Sequence, residues 1–207
     1  MARPVDHERR KRRIVKESLR LFAAVGYAQV NFGMIARNCG VARTLLYTYF
    51  KNKRAIFNQA IGEVTSRVAE TYAAAMATAE GADAKLRQVC TAVFDQMYGN
   101  RDFICVIADV LAGYRRKGAT PSEKIAEHTG GLKRAFARIL EEGVARGEFH
   151  PLDVPRTVSV LYSQFEAAAL RIAVTGDASR PESAADMDAI LRSLRARQAP
   201  VAAPGRG

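Results

Sequence analysis

The sequence predicts an all-α protein of nine helices. Apolar residues recur at three- and four-residue spacing along nearly the whole chain, and no convincing run alternates with the period of a strand. Gly and Pro are sparse and fall between the periodic segments.

The first helix covers about residues 8–25, with Ile14, Val15, Leu19 and Phe22 on one face and Gly26 stopping it. A short helix follows Asn31 and ends at Gly40, and another runs from about Ala42 to Phe50. Asn52 then caps a long helix to about Thr78 that carries Ile56, Ala60, Ile61, Val64, Val68 and Tyr72. Beyond Gly81, helices fit about 83–98, 102–117, 121–146, 153–175 and 182–197. Asp153 caps the fourth of these, and Pro155 is tolerated because it lies in the first turn. The tail, 198–207, is small and polar and is expected to be disordered. This organisation divides the chain into an amino-terminal domain over 1–57 and a six-helix domain over 58–197.

Charge separates the same two parts. Residues 1–57 hold 13 Lys and Arg against 3 Asp and Glu, whereas the remainder holds 19 against 18. Nearly all of the net +11 therefore sits in the first quarter, as expected of a nucleic-acid-binding module joined to a near-neutral one. A run such as Arg9–Arg13 also suits a merely solvated basic arm, so charge alone leaves the choice open. Cys39, Cys90 and Cys105 form an odd, widely spaced set, and His7, His128 and His150 are scattered. Buried thiols are expected, with no disulfide, metal site or cofactor. No apolar run is long enough to span a bilayer, and the charged start is unlike a signal peptide, so a cytoplasmic protein is expected.

The informative segment is NFGMIARNCGVARTLLYTYFKNK, residues 31–53. Asn31 caps a short helix whose Ile35 and Ala36 face inward. Gly40 supplies a left-handed turn, and Val41 and Leu46 pack a second helix back on the first. This is the pattern of a helix-turn-helix. The second helix presents Arg43, Thr44, Tyr47 and Thr48 outward, where such motifs meet base edges and phosphates.

Gly26-Tyr27, Ile35-Ala36, Gly40-Val41, Leu46-Tyr47, Phe50, Lys53 and Phe57 stand in the order and spacing of the TetR family, and the chain resembles that family closely over about 10–60. Glu142–Glu148 is also similar to a helix ending common there. The resemblance implies base contacts from Arg43 and Thr44 and phosphate contacts from Tyr47 and Lys53, with Asn31, Thr48 and Tyr49 as further candidates for DNA contact. Ala42 replaces a frequent capping Ser and Tyr49 a frequent His, so the contact at 49 differs. Either Tyr47 or Tyr49 also suits packing between helices.

In the second domain, Val154, Val158, Leu161, Phe165, Ala168 and Ile172 step by four and three, as in a coiled-coil seam, and Met187, Ile190, Leu191 and Leu194 line the last helix. Intrachain core explains such a stripe. The resemblance implies instead that the last two long helices, through Val158, Leu161, Ala168, Ile172, Met187, Ile190, Leu191 and Leu194, pair with a second copy. The segment 103–114 is apolar all round except for Asp109, which suits a central helix. Phe103, Ile107, Val110 and Tyr114, with Phe94, Met97, Tyr98, Phe136, Tyr162 and Phe165, would line an apolar pocket, though any one of them suits a filled core. Asp109 and Glu166 would face that pocket, offered to a cationic ligand group or paired with Arg101 or Arg171. The implied function is a dimeric repressor that binds operator DNA and is released by a small, largely apolar inducer. A constitutive DNA-binding or nucleoid-associated protein is the alternative. No nucleophile–base pair or phosphate-binding Gly loop points to an enzyme.

Overall fold

A computed structural model describes residues 4–116, 118, 123–176 and 180–196. The expected tail, 198–207, lies outside them. Among the described residues the chain is helical and has no strand beyond one isolated bridge between Phe149 and Arg195. The helices are α1 (Pro4–Val25), α2 (Phe32–Cys39), α3 (Arg43–Tyr49), α4 (Lys53–Thr78), α5 (Ala82–Gly99), α6 (Arg101–Arg116), α7 (Glu123–Ala145), α8 (Val154–Leu170) and α9 (Arg180–Leu194). The segment expected as one helix over 153–175 changes character at its end. The α-helix stops at Leu170, and Arg171–Thr175 form a wider π-helical turn.

Local chemistry accounts for the boundaries. Asn31, Asn52 and Asp153 each accept a hydrogen bond from the backbone N–H three residues on, satisfying donors that a helix start leaves bare. Gly40 closes α2 with φ +63°, and Val41 N–H reaches back to the Ala36 carbonyl at 3.0 Å.

Two apolar cores result. The first gathers Ile14, Val15 and Phe22 from α1, Ile35 and Ala36 from α2, Leu46 from α3, and Ile56, Phe57, Ala60 and Ile61 from α4. It is completed from the other domain, because Phe103, Val106 and Val110 of α6 are buried in it. The second core unites α5, α7, α8 and α9 around Leu86, Phe94, Phe136, Ile139, Leu161 and Leu191. A boundary at residue 57 thus falls inside α4, whose first turns belong to the first core and whose Ala75 belongs to the second. Cys90 lies in this second core, where burial pushes its thiol up to about 12 and keeps it protonated.

The turn after α7 locks the second core. Gly147 (φ +71°) reverses the chain, and Glu148 Oε2 then accepts the Ala82 N–H at 2.6 Å, capping α5 from a distance of 66 residues in sequence. A Cβ at Gly143 would overlap the ring of Phe149, which is 2% exposed. Lys85 Nζ spans from α5 to both carboxylate oxygens of Glu142, at 2.7 and 2.9 Å, and holds that carboxyl below its usual range. Asp83 is held low as well: burial opposes this, but bonds from Arg195 and Arg87 prevail. Arg87 also meets Asp188, tying α5 to α9.

Gly143→Ala should cost about 1–3 kcal/mol, because the buried Phe149 ring must move. Glu148→Ala should cost about 1 kcal/mol, the scale of a lost helix cap. Urea melts of both variants would check the order, with Gly143→Ala the more damaging.

Candidate functional site

The outward side of α3 is built from small and aromatic side chains on a short, firmly seated helix. Leu46 is fully buried and anchors it, while Arg43, Thr44, Tyr47 and Thr48 are all exposed. Ala42 supplies no side-chain cap. The Tyr47 ring leans on Phe32 with centroids 4.8 Å apart, and it remains half exposed. Arg43 lies over that ring at 5.8 Å and donates to the Tyr47 hydroxyl at 3.4 Å, so the phenol steers the guanidinium. Thr48 bonds its own helix through the Leu45 carbonyl at 2.7 Å. Tyr49 is half-buried, its ring 4.4 Å from that of His7. Of the two tyrosines, Tyr47 is thus the more outward and Tyr49 the more packed. Basic side chains flank this face, with Arg37, Lys51 and Arg54 exposed beside it.

Lys53 has an engagement that its sequence position did not suggest. Its ammonium donates to the carbonyls of Tyr27, Ala28 and Val30 at 2.6, 3.0 and 2.8 Å, and it sits 4.7 Å from the Tyr27 ring centroid. Those three bonds match the donor count of an ammonium group and direct it to the α1–α2 turn. The turn is held from the other side by α6: Asp109 Oδ2 accepts the Tyr27 N–H at 2.7 Å. Gly26, at φ +92°, gives the chain the left-handed step that brings this N–H to the carboxylate. Neither bond has a periodic signature in the sequence, so only the Gly-Tyr pair hinted at a constrained turn.

The candidate pocket residues fall into three places. A cavity of about 290 Å³ between α4, α5, α6, α7 and α8 brings together Met97, Phe103, Ile107, Tyr162, Phe165 and Glu166. Phe94, Tyr98 and Phe136 lie in the packed core behind it, with Phe136 fully buried against Phe165 and the Tyr98 hydroxyl 2.8 Å from Ser183 Oγ. Asp109, Val110 and Tyr114 line a separate hollow of about 470 Å³ where α6 meets the α1–α2 turn and α4. Glu166 is exposed, and Asp109 is bonded to Tyr27, not to Arg101 or Arg171. Those arginines donate to the Tyr98 carbonyl and to Ser183 Oγ. Burial pushes the Tyr27 phenol above its usual value; neighbouring Tyr114 adds to this and Arg54 opposes it.

The seam assigned to subunit pairing is spent within the chain. Val158, Leu161, Ala168, Ile172, Met187, Leu191 and Leu194 are buried in the second core, and Ile190 is partly buried against it. Their three–four spacing reports packing of α8 and α9 on the chain's own helices. A second stripe of the same spacing points outward from α8 and its π-helical turn: Val160, Ser163, Ala167, Leu170 and Val174. Leu170 and Val174 are 64% and 71% exposed. Among the described residues no helix is long and apolar enough to cross a membrane, and no group of three or more His, Cys, Asp or Glu is placed to hold a metal ion.

Comparison with known proteins agrees with this geometry. Residues 14–60, which span the helix-turn-helix, match the family described as bacterial regulatory proteins, tetR family. Residues 108–191, from α6 to α9, match the tetracyclin repressor-like C-terminal domain. The HTH-type transcriptional regulator YerO of Bacillus subtilis is 43% identical over 47 residues, 23% of this chain and 16% of that protein. The chain thus spans only a small part of that relative. The fatty acid metabolism regulator protein of Bacillus subtilis is 28% identical over 139 residues, covering 65% of this chain and 68% of that protein. In fold, the chain is similar to the fatty acid degradation regulator FadR from Bacillus halodurans, with TM-score 0.71 and 20% identity over 93% of this chain and 95% of that one. Two tetR-type matches in tandem, one over the helix-turn-helix and one from α6 to α9, together take in most of the chain, and the chain is a DNA-binding transcriptional regulator of the TetR family.

Proposed function

We propose that the chain is a cytoplasmic, homodimeric repressor that holds operator DNA through α3 and releases it when a small, largely apolar molecule enters the 290 Å³ cavity. One observation carries this reading. The cavity is walled by Val64 and Val68 of α4 and by Phe103, Ile104 and Ile107 of α6, and these same two helices hold the α1–α2 turn through Lys53 and Asp109. A ligand that separates α4 from α6 must therefore strain or shift the support of α3. The change in operator affinity cannot exceed the ligand's differential affinity for the two arrangements. An acyl chain with one polar end fits the lining, since the walls are apolar and Thr129, Tyr162 and Glu166 supply polar groups. The likeness to a fatty acid metabolism regulator supports that choice of ligand class.

Pairing with a second copy is assigned to the outward stripe Val160–Val174, because large apolar side chains there have no cover within the described chain. Two recognition helices about 34–36 Å apart then meet successive major grooves on one side of DNA.

Arg43→Ala should weaken operator binding by about 1–3 kcal/mol and relax base preference at one position per half-site. Lys53→Met should lower the melting temperature, since three carbonyls lose their donor. A phosphate contact from Lys53 would instead leave melting unchanged and flatten the salt dependence of binding.

Light scattering should give a dimer for the unmodified chain and a folded monomer for Leu170→Glu combined with Val174→Glu. Leu161→Glu should unfold the chain, because that position is fully buried. A double variant that stays dimeric would rule out this interface.

Titrating fatty acids and their thioesters should raise the melting temperature and release operator. At ~100 times the dissociation constant the stabilisation should be about 2.7 kcal/mol. Ala169→Phe, which fills the cavity, should abolish both effects. Tight binders that leave operator affinity untouched would defeat the mechanism.

A further inference from the structure

We infer that Phe57 is a positioning residue that passes ligand occupancy from the apolar cavity to the α1–α2 turn, and so to α3, while touching neither the ligand nor DNA. The inference rests on the inducer reading of that cavity and adds the side chain through which it acts.

Four aromatic rings run from the cavity to the turn. Phe103 of α6 is the first: it lines the 290 Å³ cavity and is also buried in the first core. Phe57 of α4 stands next, its ring centroid 6.4 Å from that of Phe103. Phe57 is 3% exposed and is not a wall of the cavity, so a ligand reaches it only through its neighbours. It also meets the Tyr27 ring at 5.6 Å, and Tyr27 meets Phe22 of α1 edge-on at 5.0 Å. All three separations fall in the range of direct ring packing.

Tyr27 is the fixed point of the turn. Asp109 accepts its N–H, Lys53 donates to its carbonyl, and the Lys53 ammonium lies 4.7 Å from its ring centroid. Lys53 and Phe57 are four residues apart on α4, so one face of that helix carries both the cation and the ring that grip this residue. The two grips differ in stiffness. The four-carbon stem of Lys53 follows a small shift of α4 without losing its bonds. A close-packed ring has no such slack, so moving Phe103 leaves Phe57 few directions that do not also move Tyr27. The ring contact is therefore the link that senses the cavity, and the charged bonds are the link that holds the turn.

The probe is dodecanoate, measured on the full chain together with operator affinity and hydrogen exchange at the Tyr27 amide. In the unmodified chain dodecanoate should weaken operator binding by about fivefold or more and speed that exchange. Phe57→Leu should bind both dodecanoate and operator, yet the effect of one on the other should fall below about twofold, with exchange at Tyr27 no longer responding. A merely structural role would lower the melting temperature and leave that response intact. Phe57→Met, which keeps most of the volume, repeats the test should Phe57→Leu not fold. A second arm needs no ligand: Phe103→Leu should weaken operator binding by about threefold or more in the unmodified chain and have no effect in Phe57→Leu. If dodecanoate does not bind, or binds without releasing operator from the unmodified chain, the inducer reading falls and the second arm alone decides the role of Phe57. Full release by dodecanoate in Phe57→Leu, or an equal effect of Phe103→Leu in both backgrounds, overturns the proposal.

Discussion

The α1–α2 turn is where the molecule's two halves are held to one another. Residues 26–30 must leave a 22-residue helix, reverse, and start α2 at the right angle, and in doing so they expose three carbonyls and an N–H in a partly buried place. One ammonium group, Lys53, satisfies the carbonyls, and one carboxylate, Asp109, satisfies the N–H. Bonds to ionised groups are about twice as strong as neutral ones, so four charge-assisted bonds on so short a segment fix its geometry firmly. The placement of α2 and α3 follows, since α2 starts directly from this turn and α3 is packed on α2 by Leu46.

That arrangement makes the amino-terminal unit dependent on the rest of the chain. Its core is closed by Phe103, Val106 and Val110, and its turn is held by Asp109, all from α6. An autonomous DNA-binding module has no need of such support. Here, a change in the relation of α4 to α6 would bear on α3 through both the charged bonds to the turn and the apolar closure of the first core. The same economy explains the apolar run Phe103–Ala108 on α6: one side completes the first core and another lines the 290 Å³ cavity.

Most of this fold was legible in the sequence, for a physical reason. Helix starts are marked by Asn31, Asn52 and Asp153, stops by Gly26 and Gly40, and interiors by three–four periodicity, and each acts within a few residues of where it is read. The face of α3 was legible on the same ground, because Arg43 and Tyr47 lie opposite buried Leu46 on one short helix. The pocket was legible only in part. Periodicity says that Asp109 and Phe103 lie on a central helix, yet which of two hollows each side chain faces depends on contacts with helices distant in sequence. The bonds of Lys53 were hidden for the same reason, since its partners lie 23 to 26 residues away in a turn.

The two stripes on α8 show the limit of periodicity most clearly. Val158, Leu161, Phe165, Ala168 and Ile172 share their spacing with Val160, Ser163, Ala167, Leu170 and Val174. Spacing therefore cannot assign one stripe to the core and the other to a partner. Volume separates them: the inner stripe carries Leu, Phe and Ile at positions that fill the core, while the outer one has Ser and Ala at its centre and bulky residues toward its ends. On the pairing proposed above, small central residues would allow two helices to approach closely, and Leu170 and Val174 would gain cover at the edge of the contact. The π-helical turn adds to this distinction. It widens the backbone just where both stripes reach the end of the helix, keeping Ile172 buried while Val174 stays outward.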